Sequence, residues 1–418
     1  MGFSALDYAV LAVYLVGITI FGSRFRGSHR TVKDYFLGRR NTSWIVISLS
    51  IVATETSTLT LIGVPALAYT VYARPELGGS FTYLQVVAGY IVARFVISWL
   101  FIPAYFDGEM LTAYELLNRR FGAQAKHFAA SLFLVMRALA EGVRVFAASL
   151  VLAAVLSASA LHLPNLWLWS IVIVGVLTLV YTFEGGIAAV IWTDLVQLII
   201  YIGGSLLAAY MLWRLVPGGW TAILADARAS GKLHAISWST DVTVPFTFWA
   251  GVAGLVIAAI FAAAMSNLSG SLNSLASTTV IDFYQPLVGG AVSDAQLLTL
   301  SRWLTAAWGV ALIGIAVLAR DWGSVFTVGL TIASIVYGPM LGAFLLGLLT
   351  TRVRQRDVMV AIALSLGVMI GVRLLTTLAW TWYVLLGAAI CVAVGWAASS
   401  VETRGASRVA GRVGSHVG

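Results

Sequence analysis

Eleven apolar stretches, each 17 residues or longer, divide this chain: 7–23, 44–70, 81–103, 128–159, 165–183, 187–213, 245–280, 297–319, 323–349, 357–375 and 379–399. A bilayer core about 30 Å thick needs roughly 20 apolar residues per helical crossing, so the pattern predicts eleven transmembrane helices. None of the stretches shows the strict alternation of an outer-membrane barrel strand, which excludes that architecture. Of the 418 residues 60% are hydrophobic and only 10% charged, far from the balance of a soluble domain. The expected fold class is an all-α polytopic membrane protein with the lipid bilayer as its solvent.

The net charge of +8 is distributed by topology. Arg24, Arg26, Arg30, Lys33, Arg39 and Arg40 follow the first stretch, Arg119, Arg120 and Lys126 the third, and Arg352, Arg354 and Arg356 the ninth. Arg404, Arg408 and Arg412 fill the tail. Basic residues in alternate loops place those loops in the cytoplasm, with the N-terminus outside and the C-terminus inside. No nucleic-acid partner is implied. Residues 1–401 read as one transmembrane transporter-like domain and 402–418 as a disordered cytoplasmic tail. The run 7–23 lacks a basic flank and a small-residue cleavage site, and reads as a retained span of the cell membrane. Cys391 is the single cysteine, so no disulfide or redox motif is encoded.

Polar residues interrupt the apolar runs at a few places. In "ATETSTLT", residues 53–60, six of eight residues are polar, one of them Glu55. Hydroxyls of Thr54, Thr56, Ser57, Thr58 and Thr60 can fold back onto the carbonyl one turn earlier at little cost. A buried glutamate cannot be dismissed that way; it needs a partner, a proton or water. The β-branched density, followed by Gly63 and Pro65, weakens the helix and predicts a break at mid-membrane. Exposed carbonyls there are tolerated only where they line a cavity, and broken helices supply cation ligands in secondary transporters.

A second polar island, "AAAMSNLSGSLNSLASTTVIDFY" at 262–284, carries more hydroxyls and amides than close helix packing requires. Residues 245–284 as one helix would reach roughly 60 Å, twice the hydrocarbon thickness, so its polar half is expected to line a vestibule leading inward. Oxygen donors without His or Cys suit a hard cation. In "YTFEGGIAAVIWTDLVQ", 181–197, the Gly185–Gly186 pair predicts a tight turn between two spans. Asp194 then lies two turns into the second span, at a depth where acids serve ion paths or pair with a buried arginine. In "RALAEGVR", Arg137, Glu141 and Arg144 share one helix face and can satisfy each other as a structural ion cluster. His29, His127, His162, His234 and His416 all sit in loops, at span ends or in the tail. With no histidine or lysine beside Ser266 to activate it, the chain does not read as an enzyme. The GxxxxGK[ST] phosphate loop is also missing from the sequence.

Four motifs in order, "DYFLGRR" (34–40), "YTFEGGIAAVIWTDLVQ", "AAAMSNLSGSLNSLASTTVIDFY" and "GPMLGAFLLGLLTTR" (338–352), give the chain a resemblance to the solute:sodium symporter family, which includes sodium/glucose and sodium/proline cotransporters. The resemblance implies a leucine-transporter-type fold of two inverted five-helix repeats and symport by alternating access. Na⁺ would be the coupling ion, with no other cofactor or metal. Its carried-over ligands are the carbonyls of Ala53, Thr56 and Ala263, the hydroxyl of Ser266 and, where the family usually has Ser or Thr, the amide of Asn267. Glu55 and Asp194 fall along the ion path. Thr60 and Gln85 are the candidate substrate contacts, for a small polar solute such as a sugar, amino acid or carboxylate. The chain departs from the family pattern at Val252, which alone separates segments that normally flank core helices six and seven. An alternative reading follows, a non-transporting family member acting as a sensor or surviving as a remnant. Oligomeric state has no signature in the sequence.

Overall fold

The computed structural model describes residues 4–25, 31–37, 42–56, 58–70, 77–101, 103, 114–157, 164–251, 268–288, 292–322 and 325–414. Among these residues all regular structure is helical. In chain order the main elements are α1 (Ala5–Ser23), α2 (Val32–Leu37), α3 (Trp44–Glu55), α4 (Thr58–Tyr69), α5 (Leu84–Val96), α6 (Tyr114–Phe121) and α7 (Ala123–Ser157). They continue with α8 (Leu166–Leu215), α9 (Gly219–Ala229), α10 (Leu268–Ser277), α11 (Asp294–Ala319), α12 (Val325–Leu349), α13 (Gln355–Leu375) and α14 (Tyr383–Gly414). Ser4 with Asp7 and Ser293 with Gln296 form capping boxes that start α1 and α11, each satisfying orphan donors at the helix mouth.

Eight helices among the described residues are long and apolar enough to cross a membrane. Three features reconcile these with the eleven apolar runs. At 50 residues α8 would span about 75 Å at 1.5 Å per residue, too much for one crossing. Gly186 splits it, with φ 52° and ψ −150°, a conformation that essentially only glycine adopts. The expected two-glycine turn is thus made by one glycine. The run 44–70 is the interrupted pair α3 and α4, and most of 245–280 lies outside the described residues. The fourth span starts earlier than its apolar run, at Ala123, because Lys126 finds the Glu115 carboxylate at 3.1 Å and need not stay in water. At the other end α14 runs on to Gly414, through a segment whose Ala and Arg residues are good helix formers.

The chain forms two compact units. One comprises Met1–Tyr83, Leu134–Ile236 and Ala262–Ile332. Its core joins Val143, Val145 and Phe146 of α7, Ile171 of α8, Leu272 and Leu275 of α10, and Leu312, Ala316 and Ala319 of α11. Leu6, Val13, Leu206 and Leu212 are exposed on α1 and α8, as a lipid-facing surface requires.

The other unit comprises Leu84–Phe133, Ser237–Phe261 and Ala333–Gly418. Here α12, α13 and α14 pack through small residues. A Cβ on Gly342 would stand 2.5 Å from the Cβ of Cys391, and Ser365 donates to the carbonyl of Gly387 at 2.7 Å. Small interface residues let helices approach where lipid offers no hydrophobic drive to associate. On α6, burial alone would raise the Glu115 carboxyl, but hydrogen bonds from Asn118 and Lys126 outweigh it and hold the group below the usual carboxylate range.

Candidate ion site at the interrupted helix

The sequence predicts that the first core span breaks within 53–60, and the backbone does so at Thr56. Its φ of −82° and ψ of 76° leave the helical region, α3 ends at Glu55, and α4 begins at Thr58. A helix that stops leaves its last carbonyls without the donors four residues on. The Thr56 N–H and Oγ1 both return to the carbonyl of Val52, at 3.0 and 2.9 Å. The threonine hydroxyl therefore does fold back one turn, as the modest reading of this residue type expects. Ala53, one residue beyond Val52, is buried.

Asp194 joins this place from a distant part of the chain. It lies two turns after Gly186 on the second half of α8 and is fully buried. Ser50, one turn before the end of α3, donates its hydroxyl to Asp194 Oδ2 at 3.4 Å. An intramembrane carboxylate thus lies against the helix whose end is interrupted. Ser50 was not legible as a site residue, since a lone serine in the apolar run "WIVISLSIV" carries no pattern.

The turn that aims α8 is held by "DYFLGRR". The Tyr35 hydroxyl donates to the carbonyls of Thr182 (3.1 Å) and Phe183 (3.2 Å) and approaches Thr305 Oγ1 at 3.5 Å. These carbonyls end the first half of α8 and would otherwise lack partners. Gly186 lies so close that an added Cβ would meet the Tyr35 carbonyl at 2.6 Å. Asn273 on α10 donates to the Phe36 carbonyl at 3.3 Å, so the motif also holds the helix that follows Ser266 and Asn267.

The remaining expected ligands, Ala263, Ser266 and Asn267, lie outside the described residues, as do Ser57 and the joint at Val252. Of Glu55 and Thr60 only the backbone is described. Beyond them, α10 passes into a π-helix at Thr278–Tyr284, a form frequent at functional sites. Ser274, Ser277 and Thr279 of this part are half-buried. Ser271, Asn273, Thr278 and Asp282 are buried in protein, because packing against neighbouring helices covers them. Gln85, in the other unit, uses both ends of its amide: Nε2 donates to the Phe246 carbonyl at 3.0 Å and Oε1 accepts from the Ser237 N–H at 3.1 Å. That clamps the segment 237–246 onto the start of α5.

The expected cluster in α7 forms. Glu141 Oε1 lies 3.2 Å from Arg137 Nη1 and 2.6 Å from Arg144 Nη1, and Arg137 Nη2 donates in addition to Ser271 of α10.

Comparison with known proteins places this architecture. The chain is 25% identical to the sodium/sialic acid symporter NanT of Aliivibrio fischeri over 489 aligned positions, 94% of this chain and 93% of that one. It is 25% identical to the mouse sodium-coupled monocarboxylate transporter 2, over 88% of this chain and 73% of that one. With the human sodium/iodide cotransporter the figures are 24%, 96% and 75%. The first of these alignments is longer than the 418 residues of this chain, so that relative carries segments without a counterpart here. A solved structure of a Na⁺-coupled sialic acid symporter, in a substrate-bound outward-open state, superimposes with a TM-score of 0.78 at 22% identity, covering 95% of this chain and 98% of that one. That likeness establishes the fold as the leucine-transporter type the motifs implied. The model of the sodium:solute symporter family matches residues 35–235 and 244–365, and the chain belongs to that family.

Proposed function

We propose that this multi-pass membrane protein uses the entry of Na⁺ to carry a small organic anion into the cell. Sodium-coupled symport is the activity of its family, and membership over residues 35–235 and 244–365 favours a working transporter over a remnant or sensor. A carboxylate-bearing solute is the finer reading, supported by relatives named for sialic acid and monocarboxylates. The observation that carries the ion-coupled reading is the interruption of α3 at Thr56 beside the buried Asp194.

Na⁺ would be held by the carbonyls of Ala53, Thr56 and Ala263, with the side-chain oxygens of Ser266 and Asn267. An all-oxygen donor set suits a hard monovalent cation. Asp194 and Glu55 supply negative charge along the ion's way inward, and Thr60 and Gln85 are the proposed solute contacts. Each sodium entering down the membrane potential contributes about 2.3 kcal/mol per 100 mV. Coupling then requires that ion and solute together favour the closed state more than either alone, since a ligand shifts conformations only through its differential affinity. The arginine distribution supports an outside N-terminus and an inside C-terminus, with residues 1–401 acting as one transporter domain.

Proteoliposomes carrying the purified chain test this reading. An inward sodium gradient should drive accumulation of a radiolabelled monocarboxylate or sialic acid, and Ser266→Ala should abolish the sodium dependence. Accumulation of neither acid, or accumulation equally strong with potassium, would count against it.

A further inference from the structure

We infer that α9 (Gly219–Ala229) is an interfacial helix lying in the membrane surface, with Trp220 and Leu224 seated where phospholipid headgroups meet their acyl chains.

Both ends of α9 are tied to the ends of spans. The last turns of α8 expose Leu206, Leu207, Leu212 and Leu215, and among them the rings of Tyr210 and Trp213 meet edge to face at 6.0 Å. Aromatic rings next to an arginine, here Arg214, mark the level at which hydrocarbon gives way to headgroups. The chain then turns, with Gly218 at φ 85° and Gly219 at φ 55°, and brings α9 back against Trp213. A Cβ on Gly219 would stand 3.1 Å from the indole ring. Beyond the other end of α9, Lys232 Nζ donates to the carbonyls of Ala68 (3.3 Å) and Tyr69 (2.7 Å) and lies 5.0 Å from the centre of the Tyr69 ring. These carbonyls close α4, the second half of the interrupted span, and Tyr69 is 82% exposed there. An 11-residue helix, about 16 Å long, held between two span ends runs along the membrane boundary and not away from it.

The sides of α9 divide accordingly. None of its residues is buried; Ala222, Ile223 and Ala227 are half-buried and mark the side resting on protein. Trp220 (48% exposed) and Leu224 (43% exposed) stand one turn apart on the flank beside it. Asp226 is exposed two positions beyond Leu224, about 200° around the helix, on the opposite flank. A helix this short is marginal in water alone. One apolar flank, one acidic flank and Trp at the border are the division of a helix that floats in an interface. The apolar flank continues the lipid-facing surface of α8 through Trp213 to Trp220, so the same lipid covers both. Arg214 and Arg228, both exposed, bracket this surface and bring positive charge to the level of the lipid phosphates.

The seated helix reaches the carbonyl end of α4 through Lys232, which gives the second half of the interrupted span a foothold on the bilayer. Neither the direction of the termini nor a bound ion enters this inference, so it stands apart from the transport reading.

Cys391 is buried, so a cysteine added on α9 can carry a nitroxide label by itself. The full chain, one copy per phosphatidylcholine nanodisc, is labelled at Leu224→Cys or at Asp226→Cys. Power saturation then compares the access of oxygen, which concentrates in lipid, with that of a water-soluble nickel chelate. Oxygen should dominate at position 224, at a depth of about 5–10 Å into the headgroup–acyl boundary. The chelate should dominate at position 226, so the sign of the contrast reverses within two residues. Chelate access at 224 equal to that at 226 would show a helix standing in water and overturn the proposal. Exclusion of both reagents from 224 would show cover by protein and overturn it as well. Should Leu224→Cys not fold, Trp220→Cys replaces it with the same expected sign and the same overturning results.

Discussion

Ser50 and Asp194 stand far apart in the chain and meet inside the membrane, the serine hydroxyl donating to Asp194 Oδ2 at 3.4 Å. The bond joins α3 to α8 little more than one turn before the interruption at Thr56. Asp194→Asn keeps the shape and an acceptor for Ser50 but removes the charge. A unit charge some 8 Å from a bound cation contributes about 2 kcal/mol at an effective dielectric near 20. Half-saturation of ²²Na⁺ binding to the purified protein should therefore move to at least about tenfold higher sodium. Ser50→Ala should shift it about threefold or less. An unaltered midpoint in Asp194→Asn would remove Asp194 from the ion path.

Gly186 tests the kink. Its φ of 52° and ψ of −150° are closed to side-chain-bearing residues, and an added Cβ would press on the Tyr35 carbonyl at 2.6 Å and its ring at 2.7 Å. Gly186→Ala should cost about 1–3 kcal/mol for the backbone alone, seen as a lower melting temperature and folded yield in detergent. Gly203, farther along the same helix, has open space around it. Gly203→Ala should be neutral or gain up to about 1 kcal/mol from helix propensity.

How much of this was legible before any coordinates depended on whether the signal was local. The break at Thr56 was readable because β-branched residues, a glycine and a proline crowd one short window, and each weakens a helix by its own chemistry. The turn at Gly186 and the Arg137–Glu141–Arg144 cluster were readable for the same reason, as both are set by residues within eight positions of each other. Ser50 and Tyr35 were not, because their importance is made by partners more than a hundred residues away. Gln85 illustrates a different limit. Its polarity within an apolar run suggests a solute contact, and in the fold one donor and one acceptor of its amide also hold Phe246 and Ser237. Buried polar groups need partners whatever their role, so polarity at depth marks a bond without saying to whom.

Glu141 holds two guanidiniums, so its removal should cost more than the loss of either partner. Glu141→Gln removes the carboxylate that Arg137 and Arg144 both contact. Breaking a buried ion pair from one side costs about 3–5 kcal/mol. Arg144→Gln, which leaves a matched pair, should cost less than half as much. Thermal unfolding of the two variants in the same nanodiscs compares them directly. A Glu141→Gln protein as stable as wild type would mean that the cluster contributes nothing to the fold.

Tyr35 should act on both stability and transport. Tyr35→Phe keeps the ring that packs over Gly186 and removes a hydroxyl that serves the carbonyls of Thr182 and Phe183. Leaving a buried acceptor unsatisfied costs about 1–3 kcal/mol. The loss is local, so amide exchange should accelerate first in residues 182–190, where α8 turns, while α13 and α14 in the other unit keep their protection. Tyr35 ties the first half of α8 to α2 and α11. A loosened tie should raise basal sodium leak through proteoliposomes about several-fold while leaving the sodium-binding midpoint unchanged, because the ligands themselves are untouched. Exchange accelerated uniformly across both units would instead show a general loss of folding, and leak unchanged despite local opening would show that the Tyr35 bonds hold the turn without gating it.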